Sequence, residues 1–460
     1  MTSDLRDPVD TLHGRRPRCR ITQTLHSTAI VLGLLLAAPL AALAQDEAAS
    51  PLSGDTTGTV PAERYQNHIA GEFTPARGFD IIRTQRGSLN VSMYGLFRSL
   101  SQFPANQTFT DHLGRVRQVA ARNDINWHRT FLWLTGFFYD PKFRYNITAW
   151  SLASTEQTLL FGNLQYRVSR PLTVAAGIGP SLTNRSLQGS WPFWAGSDRQ
   201  MMEESLRGGF GSAFWITGQP IDRFYYTASI NRSLSQIGVT AANDNRDYSY
   251  SASVKWMPTT GEFGPRGGLG DLEYHQRLAT QFGASACTAR EGRYAPDDQS
   301  PRQTQIKLSD GINPFDTGAL ADTVTVETLT YQNLSFDAGF KYRGFSLQSE
   351  YTLRRLSNFA ATGPLPLTSI FDQGFFVQAM HMVVAKHLGV YASTSYSFDD
   401  FKRHPYEISG GSSFYPFGNR SWRVNLHLIY VNKCSASSSF GYYTAGQTGT
   451  TISLGTDILL

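Results

Sequence analysis

No run after Ala44 approaches the roughly 18 apolar residues that a membrane-spanning helix needs, yet the chain repeatedly alternates apolar and polar residues with period two. Tyr248, Tyr250, Ala252, Val254 and Trp256 fall on one side of such a stretch, and Ser249, Ser251, Ser253 and Lys255 on the other. Phe345, Leu347, Tyr351 and Leu353 oppose Ser346, Gln348, Glu350, Thr352 and Arg354. Trp422, Val424, Leu426, Leu428 and Tyr430 oppose Arg423, Asn425 and His427. Rings bracket the apolar centre of the first stretch, as amphipathic Tyr and Trp do at a boundary between water and lipid. Hydrocarbon cannot satisfy open backbone hydrogen-bonding groups, so strands of this kind enter a membrane only as a closed sheet.

Weaker stretches begin near Leu89, Ile125, Tyr145, Leu159, Leu172, Gly208, Phe224, Leu278, Leu329, Phe375, Leu388, Tyr406 and Thr450, which with the three above makes 16. The expected fold class is all-β, a transmembrane antiparallel β-barrel of about 16 strands. An even number returns both ends to one side, and this size encloses an aqueous lumen. A soluble β-sandwich is the competing architecture, but sandwiches are built in units near 100 residues and no such subdivision is visible. Aromatics make up 13% of the chain and charged residues only 17%, while the mean hydropathy of -0.28 is polar. That combination suits strands with one lipid face and one wet face.

Arg15, Arg16, Arg18 and Arg20, the apolar stretch Ala29 to Leu43, and Ala42-Leu43-Ala44 before Gln45 read as a cleaved export signal over residues 1–44. Residues 45–88 lack periodicity and read as an irregular periplasmic lead-in, leaving 89–460 as the barrel. The net charge is +5, and residues 1–44 hold five Arg and three Asp, so the remainder carries +3. That is too mild to point to nucleic acid. Of Cys19, Cys287 and Cys434, only the last two outlast the signal and could pair; no Cys and His spacing suggests a metal, and no cofactor is expected.

The most informative insertion is Gly179 to Arg207, between the fifth and sixth strand candidates. Folded inward, it would form a constriction at which Arg185, Asp198, Arg199, Glu203, Glu204 and Arg207 set up a field across a narrow, low-dielectric passage. The same charges would equally serve to pin the loop to the wall. Trp191, Phe193 and Trp194 read as packing residues.

The stretch Ser197-Asp198-Arg199-Gln200-Met201-Met202-Glu203-Glu204, followed by GGFGSAFWITG from Gly208, resembles the phosphate-selective porin O and P family, as do DQGFFVQAMHMV from Asp372 and EISGGSSFYPFGN from Glu407. The likeness spans most of residues 125–432. It implies a homotrimeric outer-membrane channel of 16 strands, anion-preferring, with membrane lipid and small anionic or hydrophilic solutes as its partners and no chemical step. Those pores conduct phosphate along inward Arg and Lys. The inward-phase candidates here are Arg144, Lys255, Lys341, Arg354 and Arg423, a sparse set, with Glu350 and Asp337 on the same faces.

Two other classes remain open at this level. A barrel enzyme would draw on His128, His381 or His427 beside a nucleophile, though none sits in a recognisable nucleophile motif. An adhesive barrel would use the long loop from Arg290 to Thr328.

Overall fold

The computed structural model describes residues 74–152, 157–189, 191–234, 247–264, 268–293, 304–437 and 441–460. The expected export signal and most of the expected lead-in lie outside them.

Sixteen antiparallel strands close into a barrel. In chain order they are β1 (Ser88–Phe103), β2 (Asn123–Phe138), β3 (Asp140–Leu152), β4 (Gln157–Ser169), β5 (Leu172–Pro180), β6 (Phe210–Ile221), β7 (Phe224–Asn231) and β8 (Ser249–Trp256). The second half comprises β9 (Ala279–Gly292), β10 (Val326–Tyr342), β11 (Phe345–Ala361), β12 (Ser369–Val384), β13 (Leu388–Asp399), β14 (Tyr406–Phe414), β15 (Trp422–Asn432) and β16 (Gly449–Leu459). Each strand pairs with its sequence neighbours, and β16 closes on β1 in a register running from Thr450 opposite Phe103 to Leu459 opposite Tyr94. Within the stretch expected to be irregular, Phe79–Arg83 forms a short strand against Ser88–Val91, so sheet structure begins before residue 89.

Alternation decides which way each side chain points. On β8 the serines and Lys255 are buried in the barrel and Tyr250, Ala252, Val254 and Trp256 are exposed on its outside. The same division holds on β11 and β15, where Glu350, Arg354, Arg423 and His427 face inward. The outer surface is therefore apolar across its middle, with Leu334, Phe336, Val254 and Leu428 among its exposed side chains. Placing arginine at Leu334, midway along β10, is expected to cost about 2–4 kcal/mol in a bilayer, and at Trp256, at a strand end, about 0–1. Denaturant unfolding in lipid vesicles reads both.

The two ends differ. At one end, β4–β5, β6–β7 and β10–β11 are joined by the two-residue turns 170–171, 222–223 and 343–344. The last is Arg343-Gly344 with φ of 47° and 81°, both positive as a type I′ hairpin turn requires. The other end carries the longer connections, including 104–122, 181–209, 293–325 and 433–448.

Candidate functional site

The connection 181–209 is built to turn back into the barrel. Asn184 caps a 3-10 turn at Arg185–Gln188 by accepting a hydrogen bond from the Leu187 amide. A short helix, α1 (Met201–Leu206), begins at a capping box in which Gln200 and Glu203 bond each other's backbone amides. These local bonds satisfy part of the segment's own backbone. Other polar groups of the segment bond inward side chains of the wall. The Leu182 amide donates to Ser251 Oγ on β8 at 3.1 Å, and the Arg185 amide to Glu350 Oε1 on β11 at 3.2 Å. Gln200 Nε2 donates to Gln378 Oε1 on β12 at 3.0 Å, and the Met201 amide to Glu407 Oε2 on β14 at 2.8 Å. The segment thus rests against strands on several sides of the lumen.

Three carboxylates in the segment and its seat are each shared by two arginines. Asp198 takes Arg98 Nη1 of β1 at Oδ2 and Arg129 Nη2 of β2 at Oδ1, both at 2.8 Å. Asp457 of β16 takes Arg423 of β15 at 2.6 Å and Arg420 at 2.5 Å. Glu204 takes Arg207 at 2.9 Å and Arg199 at 3.5 Å. Arg423 also donates from Nη1 to the carbonyls of Trp194, at 2.6 Å, and Gly196, at 3.0 Å. Each trio fixes the segment or its seat, and each leaves one formal positive charge.

An apolar cluster completes the seating. Leu187, Trp191 and Trp194 of the segment pack with Tyr94, Leu96, Phe131 and Trp133, which point inward from β1 and β2. Trp191 sits edge-on to Tyr94, with ring centroids 4.6 Å apart. Packing is the role of Trp191 and Trp194, as their residue type suggested.

The six residues expected at a constriction divide among separate contacts. Asp198, Arg199, Glu204 and Arg207 lie in the trios; Glu203 closes the capping box; Arg185 lies over the Phe263 ring, 3.8 Å from Asp337. The inward basic residues are less uniform. Arg354 is paired with Asp372 at 2.5 Å and bonds the Ser205 carbonyl; Lys341 Nζ bonds the Phe263 carbonyl. Lys255 is buried on the inward side, and Arg144, half-buried at the turn end of β3, donates to the Pro141 carbonyl. Arg98, Arg129, Arg420 and Asp457 were not singled out from sequence. Cys287 and Cys434 are both buried free thiols, so they do not pair.

A second segment also turns inward. Residues 257–278 join β8 to β9 at the end where β4–β5, β6–β7 and β10–β11 turn in two residues, and their described part is anchored at its base by His275. Its Nδ1 bonds Asp271, its Nε2 lies 3.0 Å from Glu262 Oε2, and Asp271 Oδ2 accepts from the Gly344 amide at 2.8 Å. Asp271, Glu273 and His275 could converge on a cation. Both imidazole nitrogens are already engaged with carboxylates, however, which is the arrangement of an ion-pair anchor. Burial pulls the His275 pKa down, but the hydrogen bonds the ring donates to Asp271 and Glu262 outweigh it and hold it up at about 9. A folded value above the unfolded one of about 6.5 means the anchor contributes fully below that pH and is lost as pH rises through about 9. An NMR titration of the His275 ring should show a midpoint near 9; one near 6.5 would mean that the anchor does not form.

No protein-family model and no curated protein matches the chain. Among solved structures it is similar to an outer-membrane expressed OmpT of Vibrio cholerae, at 11% identity over 83% of this chain and all of that one, with a TM-score of 0.50. The chain has the fold of an outer-membrane β-barrel. At that identity the likeness is one of fold. An anion-selective porin from Comamonas acidovorans aligns more loosely, at 10% identity over 81% of this chain and all of that one, with a TM-score of 0.47. An OmpF of Salmonella typhi in complex with daunomycin aligns at 11% identity over 83% of this chain and all of that one, with a TM-score of 0.46.

Proposed function

We propose that the protein is an outer-membrane porin through which small hydrophilic solutes diffuse passively, with a preference for anions. The observation that carries this reading is the 181–209 segment, bonded to inward side chains of the barrel through Asp198 with Arg98 and Arg129 and through the Trp194 and Gly196 carbonyls with Arg423. Such a segment constricts a lumen, and charges in a narrow low-dielectric passage screen solutes by sign. Each trio carries one excess positive charge, which favours anions; Glu203, Asp337 and Glu350 offset part of that field. The preference is therefore expected to be modest. Phosphate is one candidate solute, but Arg354 and Arg423 are tied to carboxylates, which weakens a continuous phosphate path. Assembly as a homotrimer in membrane lipid, after removal of residues 1–44, belongs to the same proposal.

No chemical step is part of it. His427 packs edge-on against Tyr391 and Tyr442, His381 lies on the outward side opposite Phe345, and His128 is buried beside Arg129. None of these places suits a base next to a nucleophile. In a planar bilayer under a salt gradient, the reversal potential should take the sign of anion permeation, and added phosphate should reduce chloride current only weakly. A cation-sided potential would refute the anion preference, and strong block at low phosphate would restore phosphate selectivity.

A further inference from the structure

The segment 257–278 departs from what its end of the barrel requires. Two residues suffice to join β6 to β7 or β10 to β11 there, as β-hairpins usually need, whereas β8 and β9 are joined by 22. Its described residues, 257–264 and 268–278, bond the inward phase of the wall. Ser346 Oγ and Gln348 Nε2 donate to the Leu269 carbonyl at 2.9 and 2.8 Å, and Lys341 Nζ donates to the Phe263 carbonyl at 2.9 Å.

Odd-to-even and even-to-odd connections leave a barrel at opposite ends, so 181–209 and 257–278 enter from opposite mouths. They meet inside. The Leu269 amide donates to the Phe193 carbonyl at 2.8 Å, and Leu269 belongs to the same apolar cluster as Trp191 and Trp194. A Cβ at Gly268 would lie 2.5 Å from Phe193 Cβ, so the contact is as close as backbone allows and glycine is needed there. Phe263 lies beneath two cations, with Lys341 Nζ 4.7 Å and Arg185 Cζ 5.5 Å from its ring centroid.

We infer that the described part of 257–278 is a second constriction element, so that the width of the passage is set jointly by two segments inserted from opposite mouths. This rests on the channel reading above. Leu269 at the meeting point and Phe263 beneath Lys341 and Arg185 are both buried, so they fill the cross-section of the lumen and hold the segment there. A segment held across the lumen narrows it whatever the charge of the solute, and a narrower passage excludes large hydrated solutes while passing small ones. The turn end of the barrel would then filter by size, and the 181–209 segment by charge.

Single-channel recording in planar bilayers tests this with three proteins, each checked for a folded barrel by heat-dependent gel mobility. The first is wild type. In the second, residues 258–277 are replaced by an Asn-Gly turn. The third is Phe263→Ala/Leu269→Ala, which keeps the His275 anchor. The replacement should raise unit conductance by about twofold or more, and the double substitution should raise it by less in the same direction. Current from the replacement variant alone would also support the inference. Wild-type conductance retained unchanged by the folded double variant would overturn it and leave the channel reading intact. That arm decides even if the replacement fails to fold. Absence of current from all three folded barrels would overturn the channel reading and the inference with it.

Discussion

Asparagine at position 198 is expected to loosen the 181–209 segment more than any other single polar change in it. Arg98 and Arg129 are both buried and both bond Asp198, at 2.8 Å each. Asp198→Asn keeps the shape and one acceptor oxygen but removes the counter-charge of two guanidinium groups. Removing one partner from a buried ion pair costs about 3–5 kcal/mol, because the charge left behind is uncompensated. With two arginines dependent on one carboxylate, the upper part of that range is expected. The barrel wall does not need Asp198, so the cost should appear as release of the segment. Unit conductance should rise and traces should flicker, while the denaturant midpoint of the barrel moves little. Unchanged conductance and noise would show that Asp198 does not hold the segment in place.

Arg423→Met should have the second-largest effect, with a different signature. Arg423 grips the carbonyls of Trp194 and Gly196 and shares Asp457 with Arg420. Asp457 keeps Arg420 in the variant, so the expected loss is near the lower end for a broken buried pair, about 3 kcal/mol. The substitution also converts one trio from +1 to neutral. The segment should loosen, and the reversal potential should shift towards zero. Arg423→Lys should preserve the charge but not the planar fork that spans carboxylate and carbonyls, so it should keep the potential while still increasing open-channel noise. If Met and Lys behave alike in both readouts, Arg423 acts by packing alone.

The strands were legible because each half of the alternation answers a separate physical demand, lipid outside and polar groups inside. The starts read at Leu172, Phe224, Leu388 and Tyr406 coincide with β5, β7, β13 and β14. The reading is later where the strand extends past its alternating part, as at Phe375, where β12 begins at Ser369. On β1 and β2 the rule that inward means polar fails. Tyr94, Leu96, Phe131 and Trp133 face inward because Trp191 and Trp194 pack on them, so Arg98 and Arg129 lay hidden on faces that look lipid-directed.

The charged insertion was visible as a cluster, but its partners were not. Arg98 and Asp198 are 100 positions apart, and nothing local to either announces the other. Arg423 had the right phase for the lumen, yet Asp457, 34 positions on, makes it a clamp. The 257–278 segment was not singled out from sequence, and its described part is held to the wall through the Phe263 and Leu269 carbonyls, which carry no sequence signature.

A folded barrel is expected to pass ions through a lumen that the 181–209 segment helps to narrow. Single-channel conductance of wild type beside Asp198→Asn, both verified as folded by gel mobility, tests it most directly. Discrete steps from the wild type, with larger and noisier steps from the variant, are the predicted result. Folded protein that inserts into the bilayer but passes no current in either form would contradict the claim.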